Sequence, residues 1–213
     1  MQNNSLACIT KFASVGLLLL VVLALALCPV RARAAADTPE SLVIGFHDVL
    51  LSTMKEATAL GVKGRYQRLE PAITHAFHLR AMIQIASGGH WRNATEAEKN
   101  QLTEVFSRLT IATYAAQFDG YSGQNFVLTG SKPGPQETTL VETKLVNPDG
   151  SDVALVYVTR LIKGQWRTID VLLDTGISEL ARKRSEYRQI LKSEGVAGLV
   201  KTLSGKTELL LAN

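Results

Sequence analysis

Apolar residues recur every three or four positions from about residue 38 to 117, run in short stretches of β character to 173, and then return to the helical period. Thr38-Pro39-Glu40 opens the first helix, with Thr38 as cap and Pro39 at the first helical position. Leu42, Val43, Phe46, Val49, Leu50 and Met54 share its inner face, and Gly61 is expected to end it. A turn at Gly61 to Gly64 leads to a short helix through Tyr66 and Leu69 that stops near Pro71. Ile73 to Ala86 predicts another helix, carrying Phe77, Met82 and Ile83, with Gly88-Gly89 as its stop. Thr95-Glu96-Ala97-Glu98 is a capping box. The helix it starts carries Leu102, Val105, Phe106, Leu109, Ala112, Thr113 and Ala116 in one stripe to about Gln117.

Three turn signals divide the β region into four strands, near 125–129, 137–147, 152–162 and 165–173. They are a Gly/Pro loop from Gly130 to Pro135, Asn147-Pro148-Asp149-Gly150, and Lys163-Gly164. Such short connections imply an antiparallel meander. The third strand, Val153-Ala154-Leu155-Val156-Tyr157-Val158, is apolar at both parities, so both faces are expected to be covered. Beyond Gly176 a helix begins at Ser178, its expected cap, and stops near Gly195. A short helix with Val196, Leu199, Val200 and Leu203 follows, and the last eight residues are expected to be loosely held. The fold class is α+β, a four-stranded antiparallel meander sheet with helices packed across it.

The N-terminus changes how composition is read. Lys11, the apolar run from Gly16 to Leu27 and the small residues Ala34-Ala35-Ala36 read as a secretory signal over residues 1–36, leaving 37–213 as one domain. The segment holds Lys11, Arg31 and Arg33 and no acid. Without it the 23 basic residues fall to 20 against 19 acidic ones, and the net charge of +4 falls to about +1. Bulk charge then gives no argument for nucleic acid. Cys8 and Cys28 leave with the same segment, so the remaining domain holds together without disulfides.

Candidate chemistry is sparse. His75 and His78 are three apart on a helix and could offer two ligands, but no cysteine joins them and no His-Glu-x-x-His spacing occurs. Gly176-Ile177-Ser178-Glu179-Leu180 begins like a nucleophile elbow and fails at Leu180, which leaves Ser178 as a helix cap. Asp170 and Asp174, four apart, could serve acid–base chemistry. A structural bond from Asp170, to an arginine of the next helix for example, is the plainer account. Arg182, Lys183, Arg184 and Arg188 form a basic cluster that reads as a solvated helix face, or alternatively as a contact for anionic headgroups or an acidic partner. No catalytic set, metal site or cofactor is expected. What remains is much apolar sequence on both sheet and helices, which could pack as core or enclose a lipid. An exposed acyl chain costs about 0.8 kcal/mol per methylene, so a lipid carrier must cover its cargo in an apolar slot.

Two stretches resolve that choice by resemblance. Gly88-Gly89-His90-Trp91-Arg92-Asn93-Ala94-Thr95, followed by Phe106 and Tyr114, is one. The other is Trp166-Arg167-Thr168-Ile169-Asp170-Val171 leading into Gly176-Ile177-Ser178 and Arg184-Ser185-Glu186-Tyr187. Both resemble the MlaC/toluene-tolerance family of periplasmic lipid-binding proteins, with the Glu179–Arg184 run more polar than is usual there and Tyr187 in place of phenylalanine. This version looks like the HpnM branch, associated with hopanoid-producing bacteria. The resemblance implies a periplasmic, non-enzymatic carrier of phospholipid or a hopanoid-type lipid. Its implied partners are an MCE-domain inner-membrane ABC transporter and an outer-membrane lipoprotein complex. The expected cavity lining is Phe106, Leu109, Val141, Val156, Val158, Val171, Leu173, Ile177, Leu180 and Tyr187. An exported α+β enzyme acting on an apolar substrate through Asp170 or a histidine is the alternative, and a non-binding scaffold docking through its basic helix is a third.

Overall fold

Helix caps and turns place most elements where the hydrophobic pattern puts them. The computed structural model describes residues 37–174 and 176–212; the expected leader lies outside them. Five helices precede the sheet among the described residues: α1 (Pro39–Lys55), α2 (Ala57–Ala76), α3 (Leu79–Ser87), α4 (Gly89–Asn93) and α5 (Glu96–Gln117). An antiparallel sheet follows in the order β1 (Asn125–Gly134), β2 (Thr138–Val146), β3 (Val153–Ile162), β4 (Gln165–Leu173) and β5 (Ile177–Ser178), and α6 (Glu179–Ala212) comes last. The α+β meander is as expected, with a fifth, two-residue strand where only a turn was foreseen.

Thr95 caps α5: its hydroxyl accepts from Glu98 N at 3.2 Å while the Glu98 carboxylate accepts from Thr95 N at 2.8 Å. Other boundaries moved. The first helix ends at Lys55 instead of Gly61, and Gly61 kinks α2 with φ 58°. Buried Arg65 donates to the carbonyls of Ala57 at 2.9 Å and Ala115 at 2.7 Å, tying the start of α2 to the end of α5. Pro71 does not stop α2, because it sits on the exposed side, where water can serve the carbonyl its ring leaves without a donor. The helix expected from Ile73 to Ala86 is instead broken at Phe77, which is extended and bridges to Thr168 of β4. His78 N donates to Thr168 O at 2.9 Å, and His78 Nδ1 accepts from Ala81 N at 3.0 Å. His78 is thus the cap of α3, not a partner for His75.

β1 runs through the expected Gly/Pro loop to Gly134, with a bulge between Leu128 and Gly130. Pro133 is tolerated because β1 is an edge strand, pairing only with β2. The inner face of the sheet carries Val141, Leu155, Tyr157, Val171 and Leu173; Val141, Tyr157 and Val171 are cross-strand neighbours, as are Leu155 and Leu173. Val156 and Val158 lie on the opposite face of β3, half-buried beside exposed Ala154, so that face is partly open rather than covered as expected. Phe46, Leu50, Leu69, Ile73, Ile83, Leu102, Leu199 and Leu203 fill the space between helices and sheet. Each contributes about 1.5–3 kcal/mol. The last helix kinks at Gly195, φ 66°, and continues to Ala212. Thr207 is buried and Lys206 pairs with Glu186, so the C-terminal residues through 212 are held rather than loose.

One joint sets how α6 leaves the sheet. The Asp170 carboxylate accepts from the Ser178 hydroxyl at 2.5 Å, from Val171 N at 2.8 Å and from Leu180 N at 3.2 Å. Ser178 Oγ in turn accepts from Ala181 N at 2.9 Å, capping α6. Asp170 is therefore matched by a hydroxyl and two backbone N–H groups, not by an arginine. Asp174 is spent separately, accepting from Ala154 N at 3.0 Å at the end of the β3–β4 ladder. Asp170→Ala leaves those donors without an acceptor and is expected to lower stability by about 2–3 kcal/mol. Ser178→Ala is expected to cost about 1 kcal/mol. Urea unfolding of both single variants and the double should show less than additive losses; full additivity would mean the two side chains are not coupled.

A second prediction concerns His47 on α1. Its Nε2 is 2.9 Å from the Tyr157 hydroxyl, and its ring stacks on Phe126 at 4.1 Å. Burial holds its pKa down to about 4, from 6.5. The unfolded chain therefore binds the proton first as pH falls, and the native state is destabilised progressively from pH 6.5 to 4. Between pH 7 and 5 the loss is expected to be about 2 kcal/mol. In His47→Gln this slope should flatten in urea unfolding across the same interval. An unchanged slope would assign the pH dependence to another group.

Candidate functional site

A cavity of about 200 Å³ lies between the inner face of the sheet and the helices. Its sheet wall is Leu155 and Tyr157 of β3 with Val171 and Leu173 of β4. Opposite stand Phe106, Thr110, Thr113, Tyr114 and Gln117 of α5, joined by Met82 of α3 and by Phe77 and Phe118. Glu179, Arg182 and Lys183 from the first turns of α6 complete the lining and supply its charge.

Three polar groups on the walls are already engaged. Thr110 and Thr113 donate to the carbonyls of Phe106 at 2.8 Å and Leu109 at 2.7 Å, within their own helix. Tyr157 bonds His47. Burial pushes the Tyr114 and Tyr157 hydroxyls well above the ordinary tyrosine range, so both are neutral. Tyr114 packs edge-on to Phe46 at 5.5 Å and stacks with Phe118 at 5.7 Å, and Phe46 meets Phe77 at 5.1 Å. These aromatics make a stiff floor. At the charged end Arg182 pairs with Glu179 at 2.8 Å. Lys183 has no such partner among the described residues; burial first, then the neighbouring Arg182, lowers its pKa. The site is thus an apolar slot with an ammonium and an ion pair at one end. That arrangement can take an apolar chain bearing a polar or anionic head. Among the described residues no group of three His, Cys, Asp or Glu is placed to hold a metal.

Of the residues expected to line a cavity, Phe106, Val171 and Leu173 do so. Leu109, Val141, Leu180 and Tyr187 are buried in the surrounding core. Val156 and Val158 fall on the other face of β3, where alternation sends them once Leu155 and Tyr157 point inward. Ile177 is 59% exposed on β5. A strand apolar at both parities offers no alternation to choose a face, and only pairing with β4 decides it. The register was the missing signal: Val171 and Leu173 require Tyr157 and Leu155 beside them. The basic cluster is also divided. Arg182 and Lys183 line this cavity, whereas Arg184 and Arg188 do not.

With that geometry in place, two comparisons bear on the chain. A phospholipid-binding protein from Ralstonia solanacearum, solved in complex with a phospholipid, has the same fold, with a TM-score of 0.71. The match covers 81% of this chain and 98% of that one at 22% sequence identity. The sequence pattern of the MlaC proteins matches residues 46–205, which spans most of the helices, the whole sheet and most of α6. The chain belongs to the MlaC family.

Proposed function

We propose that this protein is a non-enzymatic carrier that holds a phospholipid, or a hopanoid-type lipid, with its apolar part between α5 and the β3–β4 wall and its head at Glu179, Arg182 and Lys183. The observation that carries the reading is the slot itself, apolar along its walls and charged at one end. Membership of the MlaC family and the fold shared with a phospholipid-binding protein support it. No described helix is long and apolar enough to cross a membrane. On this reading residues 1–36 direct export and residues 37–213 form a single lipid-binding domain. That domain works in the periplasm, moving lipid between an MCE-type inner-membrane ABC transporter and an outer-membrane lipoprotein complex.

Size adds a mechanical requirement. An apolar cavity of about 150 Å³ takes a benzene-sized guest, so about 200 Å³ accommodates only a short piece of an acyl chain. Loading then requires the helical wall to move off the sheet. At about 0.8 kcal/mol per methylene covered, a long chain offers on the order of 10 kcal/mol to offset that opening. Asp170 is not available for acid–base chemistry on this account, since its oxygens are committed to Ser178, Val171 and Leu180.

The protein purified without detergent and extracted with organic solvent is expected to yield lipid at roughly one molecule per chain by mass spectrometry, the stoichiometry of a single slot. Thr110→Trp, which puts an indole into the slot, should reduce the extracted lipid several-fold at a stability cost of about 1–3 kcal/mol. Leu161→Trp, at an exposed position, should leave lipid content as it was. A folded protein that carries no lipid and takes none from vesicles would sink the carrier reading.

A further inference from the structure

Arg184 and Arg188 turn away from the lipid slot and meet Arg92 in a separate cleft of about 360 Å³, lined by Ser87, Gly88, Gly89 and His90. Four positions that can be cationic share this cleft, and no aspartate or glutamate lines it. None of the three arginines makes an ion pair or hydrogen bond among the described residues, although the chain from residue 37 onward is close to neutral. Charge is therefore segregated here rather than scattered.

The cleft is also shaped around the guanidinium groups. A Cβ on Gly88 would stand 3.1 Å from Nη2 and 3.3 Å from Nε of Arg184, and Gly88 has φ 58° besides. A Cβ on Gly89 would lie 4.0 Å from Nη2 of Arg92. Two guanidinium groups thus rest on one glycine pair, which only glycine at position 88 permits. Next to Arg92 in sequence, Trp91 is buried with the Arg80 guanidinium 5.2 Å from its ring centre. Ser87 is 3% exposed and its hydroxyl has no hydrogen-bond partner among the described residues. A buried polar group of that kind calls for a ligand or water. The C-terminus of α3 would favour one cation nearby; it does not account for three arginines and a spare hydroxyl.

We propose that the cleft formed by Ser87, the Gly88–Gly89 turn, Arg92, Arg184 and Arg188 is a phosphate-binding site, separate from the lipid slot. Planar guanidinium forks match the tetrahedral oxygens of phosphate in pairs, which lysines do not. The phosphate belongs either to a lipid headgroup at a membrane surface or to a free phosphate ion. The site does not rest on the carrier reading, since the slot and the cleft share no lining residue.

The test uses the full chain, the double variant Arg184→Gln/Arg188→Gln, the charge-preserving Arg184→Lys/Arg188→Lys, and exposed Lys201→Gln as control. Inorganic phosphate is titrated by calorimetry, and flotation is measured with phosphatidylcholine vesicles with and without phosphatidylglycerol. Loss of charge-assisted pairs is expected to weaken binding by about tenfold or more in the glutamine variant, with a smaller loss in the lysine variant and none in the control. A saturating phosphate response that depends on these arginines identifies the free ion. Arginine-dependent flotation on phosphatidylglycerol vesicles without such a response identifies the headgroup. Equal behaviour of wild type and glutamine variant in both assays overturns the site. Equal behaviour of wild type and lysine variant does so too, since a diffuse positive field would then suffice. So does an effect of the substitutions confined to association with an acidic protein. Lipid extracted from the glutamine variant should match wild type, which keeps failure of the cleft distinct from failure of the slot.

Discussion

The Asp170 carboxylate accepts from the Ser178 hydroxyl and from Leu180 N, and through these bonds the last long strand holds the first turn of α6. The joint fixes where α6 begins, and its packing against α5 and α3 then decides which side faces which. Together they place Glu179, Arg182 and Lys183 at the slot and leave Arg184 and Arg188 on the cleft beside Gly88. At 3.6 residues per turn, neighbouring basic residues on a helix diverge by about 100°, so Lys183 and Arg184 face different sides although they are adjacent in sequence. A charge–hydroxyl–backbone network suits this task because its directions are specific, where apolar packing is not.

Lipid capacity depends on how polar groups are kept out of the slot. Thr110 and Thr113 turn their hydroxyls into α5, and the Tyr157 hydroxyl is paired with His47 Nε2. An unpaired donor in that wall would cost about 1–3 kcal/mol to bury against an acyl chain. The aromatic set of Phe46, Phe77, Tyr114 and Phe118 gives the space a rigid floor, while Arg182 and Lys183 of α6 bring longer and more adaptable side chains to its charged end.

Much was legible in residue order alone. Thr38, Thr95 and Ser178 are helix caps, the Asn147–Gly150 and Lys163-Gly164 turns set an antiparallel meander, and β4 begins and ends where its pattern does. These features are local: a cap or a turn is decided by residues within four positions of one another. The strand-to-helix stretch around Asp170 and the Gly88–Thr95 stretch were also enough to point to the MlaC family.

Tertiary structure decided the rest, wherever two distant segments compete for one residue. Phe77 has a helical neighbourhood but leaves the helix because β4 offers it a bridge at Thr168. Pro71 stays within a helix because its side of α2 faces water. The face of β3 that meets the slot is chosen by Leu173 and Val171 across the ladder, not by Val156 or Val158 themselves. The four basic residues of α6, contiguous or nearly so in sequence, are parted between two sites by the joint at Asp170 and the packing of α6 against α5 and α3. Sequence order determined the elements, since their physics is short-ranged; which face of each element meets a ligand was settled only when register and crossing angle brought the layers together.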